Sequence, residues 1–413
     1  MLEELFFIHK KTVEDTPLDF KRYLYNQIDW DAQAVCVMGP RGVGKTTLLL
    51  QHYHEVYHHV EKCLYVSADN IEVAAFGLFQ IAKEYFQYGG DALIVDEIHK
   101  HPQWQNELKS ILDTFKKKKI FVSGSSSLAL QKGKVDLSRR LVYYSLKGLS
   151  FREYLMLKEK ITVPSVSIED IFSRHVALAG KVSSGGPVLK YFRQYLSTGY
   201  YPFFVEGETT YYAKLLNIIE KALYEDVAAM GNLKRSNIIV LKKMLWLIAS
   251  SGPFTVNIEK MSRELRLSKE YVYSYLEYLE GAGLISCLRP GGKGYVMARK
   301  PQRIYIQDPN LLGVLHHQLM SGHDQGALRE TFFVNQLKDF FKVTASDEGD
   351  FLLNDKYTVE IGGKDKGFDQ IRKVKHAYVV ADRIEIGAGK RFPSIFLGCF
   401  IEFGASRANM VLT

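Results

Sequence analysis

The sequence predicts an α/β protein whose first domain has three layers built around a parallel sheet. Five apolar runs are continuous rather than alternating, as expected of strands covered by helices on both faces: AVCVM, CLYVSAD, ALIVDE, KIFVSGS and RLVYYSL. Helical stretches such as TTLLLQHYHEVYHHV separate the runs, and this alternation is typical of the three-layer fold. We place this domain at residues 31–160. It follows a helical extension at residues 1–30, in which LDFKRYLYNQIDW is predicted to be a helix.

The composition is that of a soluble globular protein. The chain has 413 residues, 46% of them hydrophobic and 24% charged, and its net charge of +8 is compatible with an acidic partner such as nucleic acid. The four cysteines lie far apart, which argues against a zinc site and for reduced thiols. MLEELFFIHKK lacks the features of a signal peptide, and no apolar run approaches the roughly 18 residues of a membrane span. We therefore expect a cytoplasmic protein with no membrane segment.

The stretch GPRGVGKT at residues 39–46 matches the phosphate-loop pattern G-x-x-x-x-G-K-[ST] between a predicted strand and a predicted helix. Its glycines let backbone N–H groups turn inward, and the helix adds its positive N-terminal end. Lys45 is expected to reach the β and γ phosphates of ATP, and the Thr46 hydroxyl to bind Mg²⁺. The nucleotide-binding residues expected from the pattern are Gly39, Pro40, Arg41, Gly42, Val43, Gly44, Lys45, Thr46 and Thr47.

The run ALIVDE places two acids at the end of a predicted strand, where ligands bind in parallel sheets. Asp96 is the expected second anchor for Mg²⁺. Glu97 is the expected general base, which would activate a water for attack on the γ-phosphate. The pairing of these acids with a phosphate loop favours hydrolysis of ATP over binding alone.

Further polar side chains are candidates for catalysis, each with a plain structural alternative. Ser123 or Ser125, after the next strand, could contact the attacking water or the γ-phosphate, or belong only to a Gly-Ser turn. Arg139 or Arg140 could neutralise charge on the transferred phosphate, from the same chain or from a neighbouring one. The alternative is that they form a surface pair.

Five motifs resemble, in this order, those of a family of bacterial and archaeal AAA-type ATP-binding proteins: GPRGVGKTTLLLQ, VDEIHKHPQWQNELKSILD, SGSSSLAL, SRRLVYYSLKGLSFREYL and YLSTGYYPFF. The resemblance runs to the C-terminus. It implies an AAA-like ATPase core with a helical lid, followed by a winged helix and a small nuclease-like α+β domain. We place the lid at residues 161–235. The resemblance implies no particular substrate.

Residues 236–310 follow the pattern of a winged helix. FTVNIEKMSRELRLSKEYVYSYLEYLEGAGLISCL predicts two short helices, the second capped by Ser268, and then a strand. The wing follows in RPGGKGYVMARKPQRIYI, and its basic side chains suit contacts with DNA phosphates. These side chains are Arg289, Lys293, Arg299, Lys300 and Arg303. Winged helices also serve as protein-binding modules, so a protein partner stays open.

Residues 318–413 are predicted to form the α+β domain. Glu330 on a helix, then Asp350 and Glu360 on strands, resemble the metal-binding acids of the restriction-endonuclease-like superfamily. Gly362 stands where that pattern has a lysine. We expect the fold to be kept and DNA cleavage to be lost, unless Lys364 folds back across the bend.

Three functions are compatible with this sequence, and all use the same ATP site. The first is an ATPase that acts as a switch or motor on nucleic acid or a protein partner, alone or as an oligomer. The second is an ATP-dependent metal nuclease, and the third is a signalling ATPase that acts only through protein contacts. DNA cleavage would single out the second. Salt-sensitive DNA binding without cleavage would favour the first.

Overall fold

A parallel sheet of five strands forms the centre of the first of two units, Met1–Gly148. Its strands are β1 (Ala34–Met38), β2 (Cys63–Ser67), β3 (Ala92–Asp96), β4 (Lys119–Gly124) and β5 (Val142–Ser145), in the order β2-β3-β4-β1-β5. The computed structural model of the protein describes residues 1–124, 137, 139–183, 185–228, 233–251, 254–255, 257–290, 300–320 and 324–399. All five predicted strands are confirmed, and so is the α/β class.

Helices flank this sheet: α1 (Leu2–Glu14), α2 (Lys45–Val56), α3 (Ile71–Phe76), α4 (Leu78–Gln87) and α5 (Trp104–Thr114). The three central strands β1, β3 and β4 are buried on both faces, which is why their sequences are apolar without alternation. Strand residues such as Leu64, Val95 and Val122 share one apolar core with Ile81 of α4 and Leu108 of α5. The sheet order places β4 between β1 and β3, so a side chain at the end of β4 lies between the phosphate loop and Asp96.

The prediction of a helix over LDFKRYLYNQIDW is wrong. We call residues 15–30 the strap. Within it only Tyr23–Gln27 forms a short 3₁₀ turn, and the rest is irregular. The side-chain amide of Gln51 on α2 donates to the carbonyls of Pro17 and Phe20, both at 2.8 Å. These carbonyls therefore bond to α2 and not to amides of a helix of their own.

Helix α1 covers the edge of the sheet at β2. The imidazole Nδ1 of His9 accepts the Tyr65 backbone N–H at 2.9 Å, which occupies one donor of an edge strand. Burial lowers the pKa of His9 to about 4, so the neutral ring that can accept this bond persists at physiological pH.

The second unit begins at Leu149 with mostly helical structure. Its first helices are α6 (Phe151–Glu159), α7 (Ile168–Ser183, kinked at Arg174), α8 (Val188–Gln194) and α9 (Glu208–Lys221). Between them lie a π-helical turn, Tyr195–Gly199, and a 3₁₀ turn, Pro202–Glu206. A second π-helical turn, Ala222–Val227, follows α9. Ser150 caps α6 and exchanges hydrogen bonds with Glu153, which is why this helix begins where it does.

A helical group with a three-stranded antiparallel sheet follows. Its elements are α10 (Arg235–Ser250), β6 (Phe254–Thr255), α11 (Ile258–Leu265), α12 (Lys269–Gly281), β7 (Ile285–Leu288) and β8 (Arg303–Ile306). The sheet order is β6-β8-β7. The side chain of Ser268 caps α12, as its sequence predicts.

The last part of the second unit is a mixed five-stranded sheet preceded by two helices, α13 (Pro309–Leu319) and α14 (Gln325–Leu337). The strands are β9 (Val343–Ala345), β10 (Phe351–Leu353), β11 (Tyr357–Gly362), β12 (Ala377–Ala381) and β13 (Arg391–Pro393). They lie in sequence order, antiparallel from β9 to β11 and parallel from β11 to β13. A short helix, α15 (Ile395–Cys399), follows.

The motif YLSTGYYPFF forms a buried hub in this unit. The Asn310 amide donates to the Tyr195 and Leu196 carbonyls at 3.0 and 2.8 Å, at the start of the π-helical turn. The Tyr201 hydroxyl donates to Asp308 Oδ2 at 2.9 Å. Because these buried polar groups bond to one another, the motif has a structural role in joining the turn to the start of α13.

Candidate nucleotide site

The phosphate loop runs from the end of β1 to the start of α2, and glycine is required at three of its positions. Gly42 and Gly44 have φ values of 78° and 94°, in the left-handed region that favours glycine. A Cβ at Gly39 would lie 2.0 Å from the Leu146 carbonyl oxygen. Pro40, Arg41, Val43 and Thr47 complete the loop and the first turn of α2.

Lys45 curls back over the loop that carries it. Its side chain is buried, and its ammonium donates to the carbonyls of Gly39 at 3.0 Å and Pro40 at 2.9 Å. Glycines that keep the loop open and a cation held against its backbone are the features that a polyphosphate requires. The loop therefore fits the phosphates of a nucleotide.

Asp96 is a buried acid surrounded by hydroxyl groups. Thr46 Oγ1 donates to Asp96 Oδ2 at 2.7 Å, the Tyr65 hydroxyl donates to the same oxygen at 3.1 Å, and Ser123 Oγ donates to Oδ1. The structure thus brings together the two residues predicted to bind magnesium. A hydroxyl and a carboxylate suit Mg²⁺, which usually takes its other ligands from water and phosphate oxygens.

Glu97 follows Asp96 in an unusual backbone conformation. Its φ of 50° and ψ of 39° are left-handed, and its N–H donates to Ser123 Oγ at 3.0 Å. Glu97 Oε2 lies 3.5 Å from Nε2 of the nearly buried His99. A non-glycine residue in this region costs on the order of 1–3 kcal/mol, and such strain is concentrated at functional sites. The hydrogen bond from the Glu97 N–H to Ser123 stabilises this left-handed turn, which gives the side chains of Asp96 and Glu97 different directions.

Three predicted catalytic residues are not placed at this site. Ser125 lies outside the described residues. Arg139 and Arg140 precede β5, and Val142 of β5 pairs with Val35 at the start of β1, so both arginines are at the sheet edge opposite the phosphate loop. Arg140 Nε donates to Asp113 Oδ1 at 2.7 Å. This position contradicts an action of either arginine at the phosphate loop of its own chain.

Tyr65 was missed by sequence reasoning. It is buried in β2, next to β3 in the sheet. Burial, followed by the nearby Asp96 carboxylate, raises the pKa of Tyr65, so its hydroxyl stays protonated and donates. A tyrosine in a strand whose other residues are small or aliphatic was the one available signal, because a buried hydroxyl needs a partner.

The acids predicted in the C-terminal sheet have their own partners. Glu330 accepts from the Tyr305 hydroxyl at 2.8 Å, and Asp350 Oδ2 accepts from the Ile361 N–H at 2.7 Å. Buried Glu360 pairs with the Lys366 ammonium, with its Oε1 2.5 Å from the Lys366 Nζ. In the part of the chain that the structure describes, no group of three or more His, Cys, Asp or Glu side chains could hold a metal ion.

Lys366 occupies the space that a side chain at position 362 would take. A Cβ at Gly362 would lie 2.4 Å from Lys366 Cγ. The alternative in which Lys364 folds back across the bend is not found, because Lys364 is exposed and Lys366 crosses the bend instead.

The wing cations divide into two groups. Arg289 pairs with Glu280 at 2.8 Å, and Arg303 pairs with Glu330 at 3.4 Å. Both are in ion pairs within the chain, so their charges are partly neutralised by acids of this chain. Lys300 is exposed, whereas Lys293 and Arg299 lie outside the described residues. None of the described helices is long and apolar enough to cross a membrane.

Residues 31–155 match the family model of an AAA domain. This match agrees with the phosphate loop and the parallel sheet, which give the first unit a P-loop, AAA-like α/β fold. Residues 189–322 match the model of a domain of unknown function.

The chain is 28% identical over 385 residues to the uncharacterized protein MJ1637 of Methanocaldococcus jannaschii, a match that covers 86% of this chain and 80% of the relative. Among solved structures it is similar to the Walker-type ATPase PABY2304 of Pyrococcus abyssi, with 12% identity, 72% and 96% of the two chains covered and a TM-score of 0.41. It is also similar to AMPPCP-bound DnaA from Aquifex aeolicus, with 16% identity, 67% and 88% covered and a TM-score of 0.27.

Proposed function

We propose that the protein binds ATP with Mg²⁺ and hydrolyses it, as a switch or motor that acts on nucleic acid or a protein partner. The hydrogen bond between Thr46 and Asp96, with Lys45 held in the same loop, carries the proposal. It joins residues distant in sequence into the set of groups that a magnesium–phosphate complex needs.

Each residue has a defined part in this reaction. Lys45 and the loop N–H groups hold the phosphates, and Thr46 and Asp96 hold Mg²⁺, which when bound offsets phosphate charge. Glu97 removes a proton from a water as the water oxygen bonds to the γ-phosphorus. The bond from that phosphorus to the bridging oxygen breaks, and ADP and phosphate are released. Ser123 positions both acids through Asp96 Oδ1 and the Glu97 N–H.

Calorimetry with Mg-ATP tests the site. The Lys45→Ala variant should bind ATP about 10–100-fold more weakly, since charge-assisted hydrogen bonds contribute roughly 1.5–3 kcal/mol. Lys83→Ala removes an exposed lysine of α4 and serves as the control. Equal affinity in wild type and Lys45→Ala would contradict the site assignment.

We propose that α10 to β8 form a winged helix. The order of a helix, a short strand, two helices and an antiparallel hairpin supports this. Its exposed basic side chains among the described residues include Arg263, Arg266 and Lys300, and also Lys269, which pairs with Glu259 at 2.7 Å. Such a cluster suits a nucleic-acid backbone, and contacts of this kind read charge and not base sequence.

A salt titration of DNA binding separates the partner classes. Charge reversal at Lys293 and Arg299 in the wing should weaken binding and reduce the log–log salt slope by about 1 for each phosphate that the protein no longer neutralises. Charge reversal at Lys83 is the control. An unchanged slope would place the DNA-binding residues on another surface. No DNA binding by the wild type would favour a signalling ATPase that acts through protein contacts.

Metal-dependent DNA cleavage is a second candidate, favoured by one observation: the Lys366 ammonium beside Glu360 takes the place of the missing lysine. Against it, Lys366 already neutralises that acid, and burial raises the pKa of Glu330 to about 7. We therefore expect no cleavage.

A plasmid assay with Mg²⁺ or Mn²⁺ tests this expectation. Products that vanish in Lys366→Ala and Glu360→Gln but persist in Lys364→Ala would overturn it, whereas cleavage that survives all three substitutions comes from a contaminant. Gly362→Lys alone would collide with Lys366. It must therefore be combined with Lys366→Gly to test a lysine at the usual position.

A further inference from the structure

Arg22 lies in the strap, outside every motif of the nucleotide site. Its side chain is buried, and its guanidinium donates to three backbone carbonyls: Val43 at 2.7 Å, Lys147 at 2.8 Å and Gly148 at 2.9 Å. The first belongs to the phosphate loop. The other two belong to the segment after β5 that closes the first unit.

The bond to Val43 fixes the direction of one phosphate-binding amide. In a trans peptide the C=O and the following N–H point in opposite directions. Because the Val43 carbonyl is held on Arg22, the Gly44 N–H points away from Arg22. Gly44 is also the N-cap of α2, where free N–H groups bind anions.

The segment after β5 meets the loop at two more points. The Leu146 N–H donates to the Met38 carbonyl at 2.7 Å, and the Leu146 carbonyl packs so closely on Gly39 that no Cβ fits there. Residues 146–148 thus contact Gly39, the first residue of the loop, directly. Arg22 links the same segment to Val43 in the middle of the loop. A change in loop conformation must displace this segment or break these bonds.

The strap is anchored well enough to hold Arg22 in place. Gln51 binds the carbonyls of Pro17 and Phe20 just before it, and the 3₁₀ turn begins just after it. Arginine suits this role because its planar guanidinium has five N–H donors in a fixed fork, whereas a lysine ammonium is a single flexible point.

We propose that Arg22 is a positioning residue for the nucleotide. It orients the Val43–Gly44 peptide toward the phosphates and couples nucleotide binding to residues 146–148. It does not touch the nucleotide, and the inference rests on the proposed binding of ATP.

Calorimetry and hydrogen exchange together test this role. Arg22→Lys and Arg22→Gln should bind Mg-ATP about tenfold more weakly or worse, because the loop amide is no longer held in its binding orientation. In wild type, saturating ATP should slow exchange in peptides that cover residues 142–150. In the variants this protection should be lost even at ATP concentrations that give equal occupancy. Lys21→Ala is the control, because Lys21 is next to Arg22 in the sequence but its side chain pairs with Glu55 on α2.

The outcomes separate this inference from the proposed function. Absence of ATP binding by the wild type would contradict the proposed function. Wild-type binding with equal affinity and equal protection in the Arg22 variants would overturn the role of Arg22. A lower free energy of unfolding with unchanged ATP affinity would show that Arg22 is only structural, and would also overturn its role as a positioning residue. If neither variant folds, the wild type alone still tests the coupling between nucleotide binding and residues 146–148. Hydrogen exchange of residues 142–150 that ATP does not slow would contradict it.

Discussion

Asp96 in the first unit and Asp308 in the second are both buried carboxylates that accept a hydrogen bond from a tyrosine. The Tyr65 hydroxyl lies 3.1 Å from Asp96, and the Tyr201 hydroxyl lies 2.9 Å from Asp308. The two differ in their remaining donors. Asp308 Oδ1 caps α13 by accepting the N–H groups of Asn310 and Leu311, both at 2.9 Å.

The remaining donors to Asp96 are the hydroxyls of Thr46 and Ser123. A hydroxyl can rotate its hydrogen away and present a lone pair, which a backbone N–H in a helix cannot do. Asp96 can therefore bind a cation while the hydroxyls of Thr46 and Ser123 turn to other acceptors. Asp308 cannot do so without leaving the backbone N–H groups of α13 without an acceptor. Burial and a tyrosine partner are common to both acids, so only the remaining donors distinguish the acid proposed to bind Mg²⁺ from the acid that caps a helix.

The largest effect is expected beside Asp96. Glu97→Gln keeps the shape of the side chain but removes the base, so hydrolysis should slow by about 10²–10⁴-fold while ATP stays bound. Phosphate release and calorimetry measure the two quantities, and Glu84→Gln, an exposed position on α4, is the control. Turnover at the wild-type rate would mean that another group activates the water.

Matched amides test the two aspartates directly. Asp96→Asn should weaken Mg-ATP binding by about 10–100-fold, because the cation is deprived of a charged ligand. Asp308→Asn should leave ATP affinity unchanged, because its oxygens serve only the second unit. Titrations with and without Mg²⁺ separate metal from nucleotide. Similar losses in both variants would show that the comparison reports fold damage and not a site.

The sequence was sufficient for the local parts of the first unit. The strands are predictable because burial on both faces gives continuous apolar runs, and the phosphate loop because its geometry needs glycines at fixed spacing. Tyr65 and Arg22 were missed because their partners are distant in sequence, and Arg22 binds only carbonyls, which every residue has. The pairing of Lys366 with Glu360 was missed because a bend at Gly362 brings Lys366 back over β11. The strap was mistaken for a helix because its carbonyls are taken by Gln51, a tertiary contact.

Removal of the tyrosine hydroxyl beside each aspartate should change the free energy of unfolding by a smaller amount, and by a different amount at the two sites. Tyr201→Phe removes a donor from Asp308 Oδ2, and an unsatisfied buried acceptor costs roughly 1–3 kcal/mol of unfolding free energy. Tyr65→Phe should cost less than about 1 kcal/mol, since Thr46 still donates to the same oxygen of Asp96. Urea unfolding of the full chain measures both. A larger loss in Tyr65→Phe would reverse the order proposed for the two acids.

The smallest effect is a dependence of stability on pH at Asp308. Burial raises the pKa of Asp308 from 3.8 to about 7, so the folded state holds the proton to a higher pH than the unfolded state does. The resulting stabilisation is complete below the unfolded pKa and is lost as pH rises through the folded pKa. From about pH 6.5 to about 8.5 the loss should be about 1 kcal/mol.

Asp308→Asn carries no titrating proton at this position and isolates the effect. His9, His52 and Glu330 also have shifted pKa values, and all three are present in the variant, so they cancel in the difference from wild type. The advantage in unfolding free energy of wild type over Asp308→Asn should therefore shrink by about 1 kcal/mol across this range. A constant difference would mean that Asp308 is ionised throughout. The backbone N–H groups of α13 would then stabilise its charge as fully as water does, and the contrast with Asp96 would rest on the donors alone.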